Sequence, residues 1–354
     1  MIDRIPDIMA ALQERDLDGM LLIGPVNRRW ATGFASSAGA LVITAAERVF
    51  FTDSRYIESA EAYIQHAKVV QVGSAQSYAA LIREVLERNH VRQLGFEEGV
   101  MTQAAYTDYR KKLAVEFVPA QKLIGDLRAA KTPTEYALMR HAQAITEQTF
   151  DQILPLIVPE RTERELAAEI VYHLMKNGAE RPAFDPIVAS GPRSSMPHAT
   201  PGDHKLTGFI TLDFGAVYRG YCSDMTRTVA LGEPTKEMCR VYEIVLAAQT
   251  AGIAAARAGV AGREIDRAAR NVIKAAGFGD YFGHGFGHGL GLEVHESPGA
   301  APASVQPLPA GAVISAEPGI YLPGKFGVRI EDTLYLTETG CEILTQTPKT
   351  LMVL

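Results

Sequence analysis

Apolar residues recur at helical spacing in "IPDIMAALQERDL", where Ile5, Ile8, Met9 and Leu12 share one face. The runs that follow, "GMLLIG", "ALVIT" and "RVFFTD", are short, apolar and bounded by polar residues. This order predicts a helix followed by strands in a small α/β domain. A second pattern begins at "LRAAKTPTEY". Thr132 can cap a helix, Pro133 takes its first position and Glu135 stands three residues after the cap, as in a capping box. We place a linker at residues 125–131, hence a first domain over 1–125 and a second over 126–354. In the second, helices at 133–154 and 162–177 precede strands around 185–190, 208–217 and 221–230. Helices at 235–258 and 263–276 then precede apolar segments around 284–295, 312–320 and 327–337. The pattern predicts an α+β domain of two helix-helix-strand halves sharing one sheet.

Composition narrows the class. The 354 residues are 47% hydrophobic and 21% charged, enough to bury a sizeable core and to exclude global disorder. The longest apolar stretches, "MLLIG" and "GALVITAA", fall well short of the roughly 20 residues a membrane span needs. The N-terminus carries acids where a secretory signal would carry a basic head and an apolar run, so a cytoplasmic protein without a membrane partner is expected. Lys plus Arg number 35 against 41 Asp plus Glu, with no basic block, which points away from nucleic acid and toward small molecules or peptides. Cys222, Cys239 and Cys341 are odd in number and form no CxxC pair, which suits a reducing compartment.

Candidate chemistry concentrates in four segments. "TLDFGAVYRGYCSDMTRTVAL" reads as a β-hairpin. With a Tyr218-Arg219 tip, Asp213 faces Asp224, with Cβ atoms ~5 Å apart, and two like charges there need a proton or a cation between them. A register slipped by one residue would instead leave both acids solvated. In "YFGHGFGHGLGLEVHESP", Gly283, Gly285, Gly287, Gly289 and Gly291 take every second position, a costly composition for a strand unless backbone or ligand approaches closely. His284, His288 and His295 supply imidazoles, each by itself more readily structural than ligating. "VISAEPGIY" puts Glu317 in an apolar strand, and "GVRIEDTLYL" puts Arg329 and Glu331 two apart, on one face of another, with Asp332 turned to the opposite face and outside the site. The set is carboxylate-rich and hard, which favours manganese first, then cobalt, iron or zinc. Four carboxylates can hold two divalent ions ~3.5–4 Å apart and activate water for acyl-bond hydrolysis. HExxH, GxSxG and cysteine-nucleophile signatures are absent.

Five blocks, "FDPIVASGPRSSMPHATPGD", "LDFGAVYRGYCSDMTRT", "GHGFGHGLGLEVHE", "AEPGIY" and "GVRIEDT", stand in the order seen in the pita-bread fold metallopeptidases, and the whole chain resembles their proline-specific branch, aminopeptidase P and prolidase. The stretch "FFTDSRYIESAE" resembles the creatinase-like N-terminal α/β domain of the same family. The resemblance implies five metal ligands, Asp213, Asp224, His288, Glu317 and Glu331, for two divalent ions. It implies that His198 and His295 contact the substrate carbonyl and the tetrahedral oxygen, that Glu317 moves a proton, and that His284 and Arg329 line the site. The implied substrates are peptides with proline second. The compact N-terminal domain leans the reading to an Xaa-Pro aminopeptidase, with Xaa-Pro dipeptidase (prolidase) as the alternative. A homodimer is implied as well. Methionine aminopeptidases rank lower, because they usually lack a comparable N-terminal domain and carry another residue at the position of Arg329. Creatinase-like amidine hydrolases and non-catalytic pita-bread binding proteins would be expected to have lost the ligand set that this chain keeps. His66, His90, His141, His173, His204 and Trp30 read as scaffold or surface residues.

Overall fold

The computed structural model describes residues 4–354, and the chain divides into two compact units, one ending at Leu127 and the other spanning Arg128–Leu354. The stretch expected as a linker at 125–131 is largely helical, because the helix Gln121–Ala129 runs through it. Its polar residues resemble a linker, yet no proline interrupts it before Pro133.

The N-terminal unit is built on a six-stranded mixed sheet, ordered Lys68–Gln71, Arg48–Thr52, Ala40–Thr44, Gly19–Leu22, Gln93–Phe96, Glu116–Pro119. Gly19–Leu22 and Ala40–Thr44 are buried at every position, which is why they read as continuous apolar runs rather than alternating ones. The helix Ile5–Gln13 buries Ile5, Ile8 and Leu12. The helix Tyr78–Arg88, capped by the Ser77 hydroxyl on the Ala80 amide, packs Leu81, Ile82 and Val85 against Leu21, Val42, Phe51 and Leu94.

The C-terminal unit contains both expected helix pairs. Pro133–Ile153 and Glu163–Lys176 each open with a complete capping box, Thr132 with Glu135 and Thr162 with Glu165. Their apolar faces (Phe150, Leu166, Ile170, Leu174) pack on Ile210, Leu212, Phe214, Met225 and Val229. Those strand residues belong to an antiparallel set of Ile187–Ser190, Gly208–Phe214 and Met225–Leu231. Period-two alternation turns Phe209, Thr211 and Asp213, with their partners Ala230, Thr228 and Thr226, to the other face. Phe209 and Ala230 enter a second core with the helices Lys236–Ala255 and Gly262–Ala275 and the later strands. The site residues therefore lie between the two halves.

The halves do not share one sheet. The strands form separate sets: a five-stranded one containing Gly287–Gly289, Glu296–Ala300, Val313–Ala316, Asp332–Leu336 and Cys341–Ile343; a two-stranded one of Gly319–Leu322 with Phe326–Arg329; and two three-stranded ones. The segments expected as long strands are broken, and three of the breaks fall at Asp224, Glu317 and Glu331.

Candidate active site

The hairpin reverses one residue later than the sequence reading had it. Tyr218 pairs with Tyr221 and Val217 with Cys222, and the tip is Arg219-Gly220, both at positive φ (48° and 89°). That is a type I′ turn, whose twist matches the flanking strands. Moving the tip by one shifts every facing pair by two, so Asp213 is opposite Thr226 and not Asp224. Asp224 still shares the face, as a diagonal neighbour two residues before Thr226. It has also left the ladder: one strand ends at Cys222, the next starts at Met225, and opposite the gap Gly215 leaves no room for a Cβ beside the carbonyl of Ser223.

The same interruption places the other two acids. Glu317 falls between Val313–Ala316 and Gly319–Leu322, and Glu331 between Phe326–Arg329 and Asp332–Leu336, so Glu331 does not continue a regular strand from Arg329 as its spacing predicted. Their amides bond elsewhere, Glu317 to the carbonyl of Phe286 (2.8 Å) and Glu331 to that of Thr226 (3.1 Å). These cross-links swing the carboxylates toward the hairpin. The glycine alternation has a backbone cause: a Cβ on Gly287 would overlap the Ser315 carbonyl, on Gly289 the Glu296 carbonyl, and on Gly291 the Glu296 carboxylate. This tightness lets the strand Gly287–Gly289 carry His288 into the cluster.

Ligand atoms of Asp224, His288 and Glu331 all lie within 4.8 Å of one another. Nδ1 of His288 faces the carbonyl oxygen of Gly289 at 3.1 Å, so it carries the proton and leaves Nε2 with a lone pair. That Nε2 stands 3.2 Å from Glu317 Oε1 and 3.6 Å from Asp224 Oδ2. One oxygen each of Asp213 (Oδ1), Asp224 (Oδ1) and Glu331 (Oε1) is buried without a hydrogen-bond partner. Buried, unpaired carboxylate oxygens are costly, and lone pairs converging on one point repel, unless a cation lies among them. This hard oxygen-plus-imidazole donor set fits divalent metal ions.

A second chain of contacts backs the acids. Arg329, 3% exposed, donates to Asp213 Oδ2 (2.6 Å) and to the Tyr321 hydroxyl (2.8 Å). That hydroxyl stands 3.0 Å from His284 Nε2, whose ring donates through Nδ1 to the Gly285 carbonyl. Burial pushes the Tyr321 phenol up to about 12, so it stays a donor. His295 sits edge-on to His288, ring centroids 4.1 Å apart. Burial first, then the neighbouring His288, holds it below the ordinary imidazole value, and His198 acts in the same direction. His198 itself is exposed. Asp332 turns away into an ion pair with Arg227 (2.9 Å) and Lys349 (2.6 Å). Sequence reasoning missed Thr226, whose hydroxyl donates to Glu331 Oε2 (2.7 Å), and Ser315, whose hydroxyl donates to Glu317 (3.1 Å). Thr226 was legible as the second residue after Asp224 on the same face. Tyr321 lay inside the quoted "AEPGIY" block.

Residues 137–338 match the description of metallopeptidase family M24, and residues 4–130 match the creatinase/prolidase N-terminal domain. The chain belongs to metallopeptidase family M24. Among M24 relatives it is similar to the Xaa-Pro dipeptidase of Pyrococcus furiosus, at 35% identity over 99% of this chain and 100% of that one. Its fold matches the solved Xaa-Pro dipeptidase from Bacillus anthracis (40% identity, 99% of each chain, TM-score 0.96). It also matches the X-Pro aminopeptidase from Thermotoga maritima (35% identity, 99% and 100% of the chains, TM-score 0.92). The α+β architecture expected from the sequence, a creatinase-like unit followed along the chain by a pita-bread one, is thus that of the M24 family, and the chain is a metallopeptidase. Among the described residues no helix of this M24 peptidase is long and apolar enough to cross a membrane.

The crowding has a measurable consequence in metal-free M24 protein. Burial, then the charges of Glu331, Asp213 and Glu317, holds the Asp224 carboxyl well above its usual range, and burial, then Glu317 and Asp213, does the same to Glu331. A group whose folded pKa is raised contributes stability while protonated and loses it as pH rises through the folded value. Asp224→Asn keeps the shape and cannot ionise. Chelator-treated Asp224→Asn is therefore expected to melt above chelated wild type at about pH 8, with the gap closing toward about pH 4. Thermal melts of both proteins test this; a gap independent of pH contradicts the crowding.

Proposed function

We propose that this M24 peptidase is a dinuclear-metal exopeptidase that hydrolyses the bond between a first residue and a proline in second position, an Xaa-Pro aminopeptidase. The observation that carries the reading is the set of unpartnered, buried oxygens of Asp213, Asp224 and Glu331 gathered around His288. Two divalent ions held by Asp213, Asp224, His288, Glu317 and Glu331 would polarise the scissile carbonyl and activate a water for attack. The carboxylate-rich set favours manganese. The free cysteines Cys222, Cys239 and Cys341 suit a cytoplasmic enzyme, and the family likeness supports a homodimer.

The chain's own residues then divide the work. Burial pushes the Glu317 carboxyl up, and the Ser315 hydroxyl steadies its Oε1, so it is suited to take a proton from the attacking water and pass it to the leaving imino nitrogen. His295, beside His288, donates to the oxygen that becomes negative in the tetrahedral state, and His198 contacts the substrate carbonyl. Arg329 fixes Asp213 and, through Tyr321, orients His284.

Prolidase is the second reading, favoured by the dipeptidase names of the Pyrococcus and Bacillus relatives. Length does not separate the two, because the chain matches proteins of both names end to end. Rates on Xaa-Pro, Xaa-Pro-Yaa and Xaa-Ala with manganese supplied decide it. We expect the tripeptide to be cleaved at least as fast as the dipeptide. Strong preference for Xaa-Pro makes this a prolidase, and Xaa-Ala cleaved as fast as Xaa-Pro defeats the proline assignment.

A further inference from the structure

His198 makes no hydrogen bond of its own among the described residues, so its place is set by the backbone that carries it. That backbone is the segment from Ser190 to Gly202, which leaves the strand Ile187–Ser190, turns through the short 3-10 helix Gly191–Ser195 and passes Pro197. One side chain holds both ends. Glu163, 0% exposed, accepts the Ser190 amide on Oε1 (2.9 Å) and the Gly202 amide on Oε2 (3.0 Å). Arg193, inside the segment, places its Nε 3.1 and 3.0 Å from the same two oxygens. Its Nη2 donates to the carbonyl of Thr200 (2.6 Å), two residues beyond His198.

The helix does not need this carboxylate. Its N-terminus is already closed by Thr162 and Glu165, and a buried charge is costly unless fully paired. Glu163 is paired entirely with the His198 segment. On the far side, Ser194 Oγ accepts the Gly327 amide (2.9 Å), and Arg329 donates to the carbonyl of Pro197 (3.3 Å), so the segment is held between Glu163 and the strand that leads to Glu331.

We infer that Glu163 and Arg193 form a positioning pair that closes the loop at both ends and sets where the His198 imidazole stands in the active site. The inference rests on the substrate-binding role proposed above for His198.

The test is a double-mutant cycle on the metal-loaded enzyme with an Xaa-Pro-Yaa peptide, reading kcat, KM, metal content and melting temperature. Glu163→Gln keeps the shape but offers an N–H where Gly202 or Arg193 needs an acceptor. It is expected to lower kcat/KM about tenfold or more at unchanged metal content. In a His198→Ala background the same change should alter kcat/KM by less than about twofold, because the residue it acts through is gone. Arg193→Lys keeps the charge, loses the bond to Thr200, and carries the test by the same comparison if Glu163→Gln does not fold. Equal losses in both backgrounds, or no loss in either while His198→Ala is impaired, overturn the pair's role and leave the proposed function standing. Wild-type rates for His198→Ala alone remove the role given to His198, and this inference with it.

Discussion

Replacing Asp224 by Ala should cut turnover by about a thousandfold or more and remove or weaken one bound metal ion, with the folded state retained. Asp224 is 4% exposed, has an oxygen without a partner, and shares a 4.8 Å cluster with His288 and Glu331. Its removal takes away a proposed ligand, and the neighbouring acids are already engaged: Asp213 with Arg329, and Glu331 with Thr226. The fold should survive because the same substitution relieves like-charge crowding. Metal content by elemental analysis beside kcat is the measurement. Unchanged metal and unchanged rate would remove Asp224 from the site. Chelation of the wild-type enzyme should abolish activity, and manganese or cobalt should restore it. Full activity in metal-free protein would sink the mechanism.

His295→Ala should lower kcat by about 10²-fold while metal content stays normal. The imidazole packs edge-on against His288 but is itself exposed, and it is not among the clustered ligand atoms. A donor that acts only on developing charge affects kcat more than KM, since ground-state binding hardly uses it. Titration of metal into the variant, run beside the kinetics, separates the two roles. Loss of metal in step with rate would make His295 a ligand.

What the sequence disclosed was mostly local. Both capping boxes were legible, because Thr132 with Glu135 and Thr162 with Glu165 act within one helical turn. The hairpin was legible as a hairpin but not in register: the tip depends on which two residues accept positive φ, and Gly220 was the cue for a turn one residue later. Alternation was sound at Asp213 and Thr226. Arg329 and Glu331 do reach the same side, both meeting the Thr226 hydroxyl with Asp332 turned away, but not along one regular strand. The strand ends at Arg329, and the bond of the Glu331 amide to the Thr226 carbonyl ties the break to the hairpin. Pro318, which has no amide to give a ladder, was the one local sign that the strand breaks after Glu317. Glu163 could not be read at all. Its partners lie 27 to 39 positions away, and nothing about a glutamate at a helix start says that it will be buried.

Asp224, Glu317 and Glu331 lie at breaks between strands while Asp213 stays in its ladder, and the two sides of the cluster come from opposite helix-pair halves. Asp213 and Asp224 ride on the first hairpin; His288, Glu317 and Glu331 come from the second half, and the Arg329–Asp213 pair alone spans 116 positions of chain. In kinetic terms this arrangement has high contact order, so the cluster closes only after the two halves have docked. Neither half, folding first, presents more than part of the donor set. The ion's binding energy is therefore delivered to the finished native state, as mass action on the folded form, and should slow unfolding far more than it speeds folding. Metal supply would then govern how long a folded molecule lasts and have little influence on how quickly a new one forms.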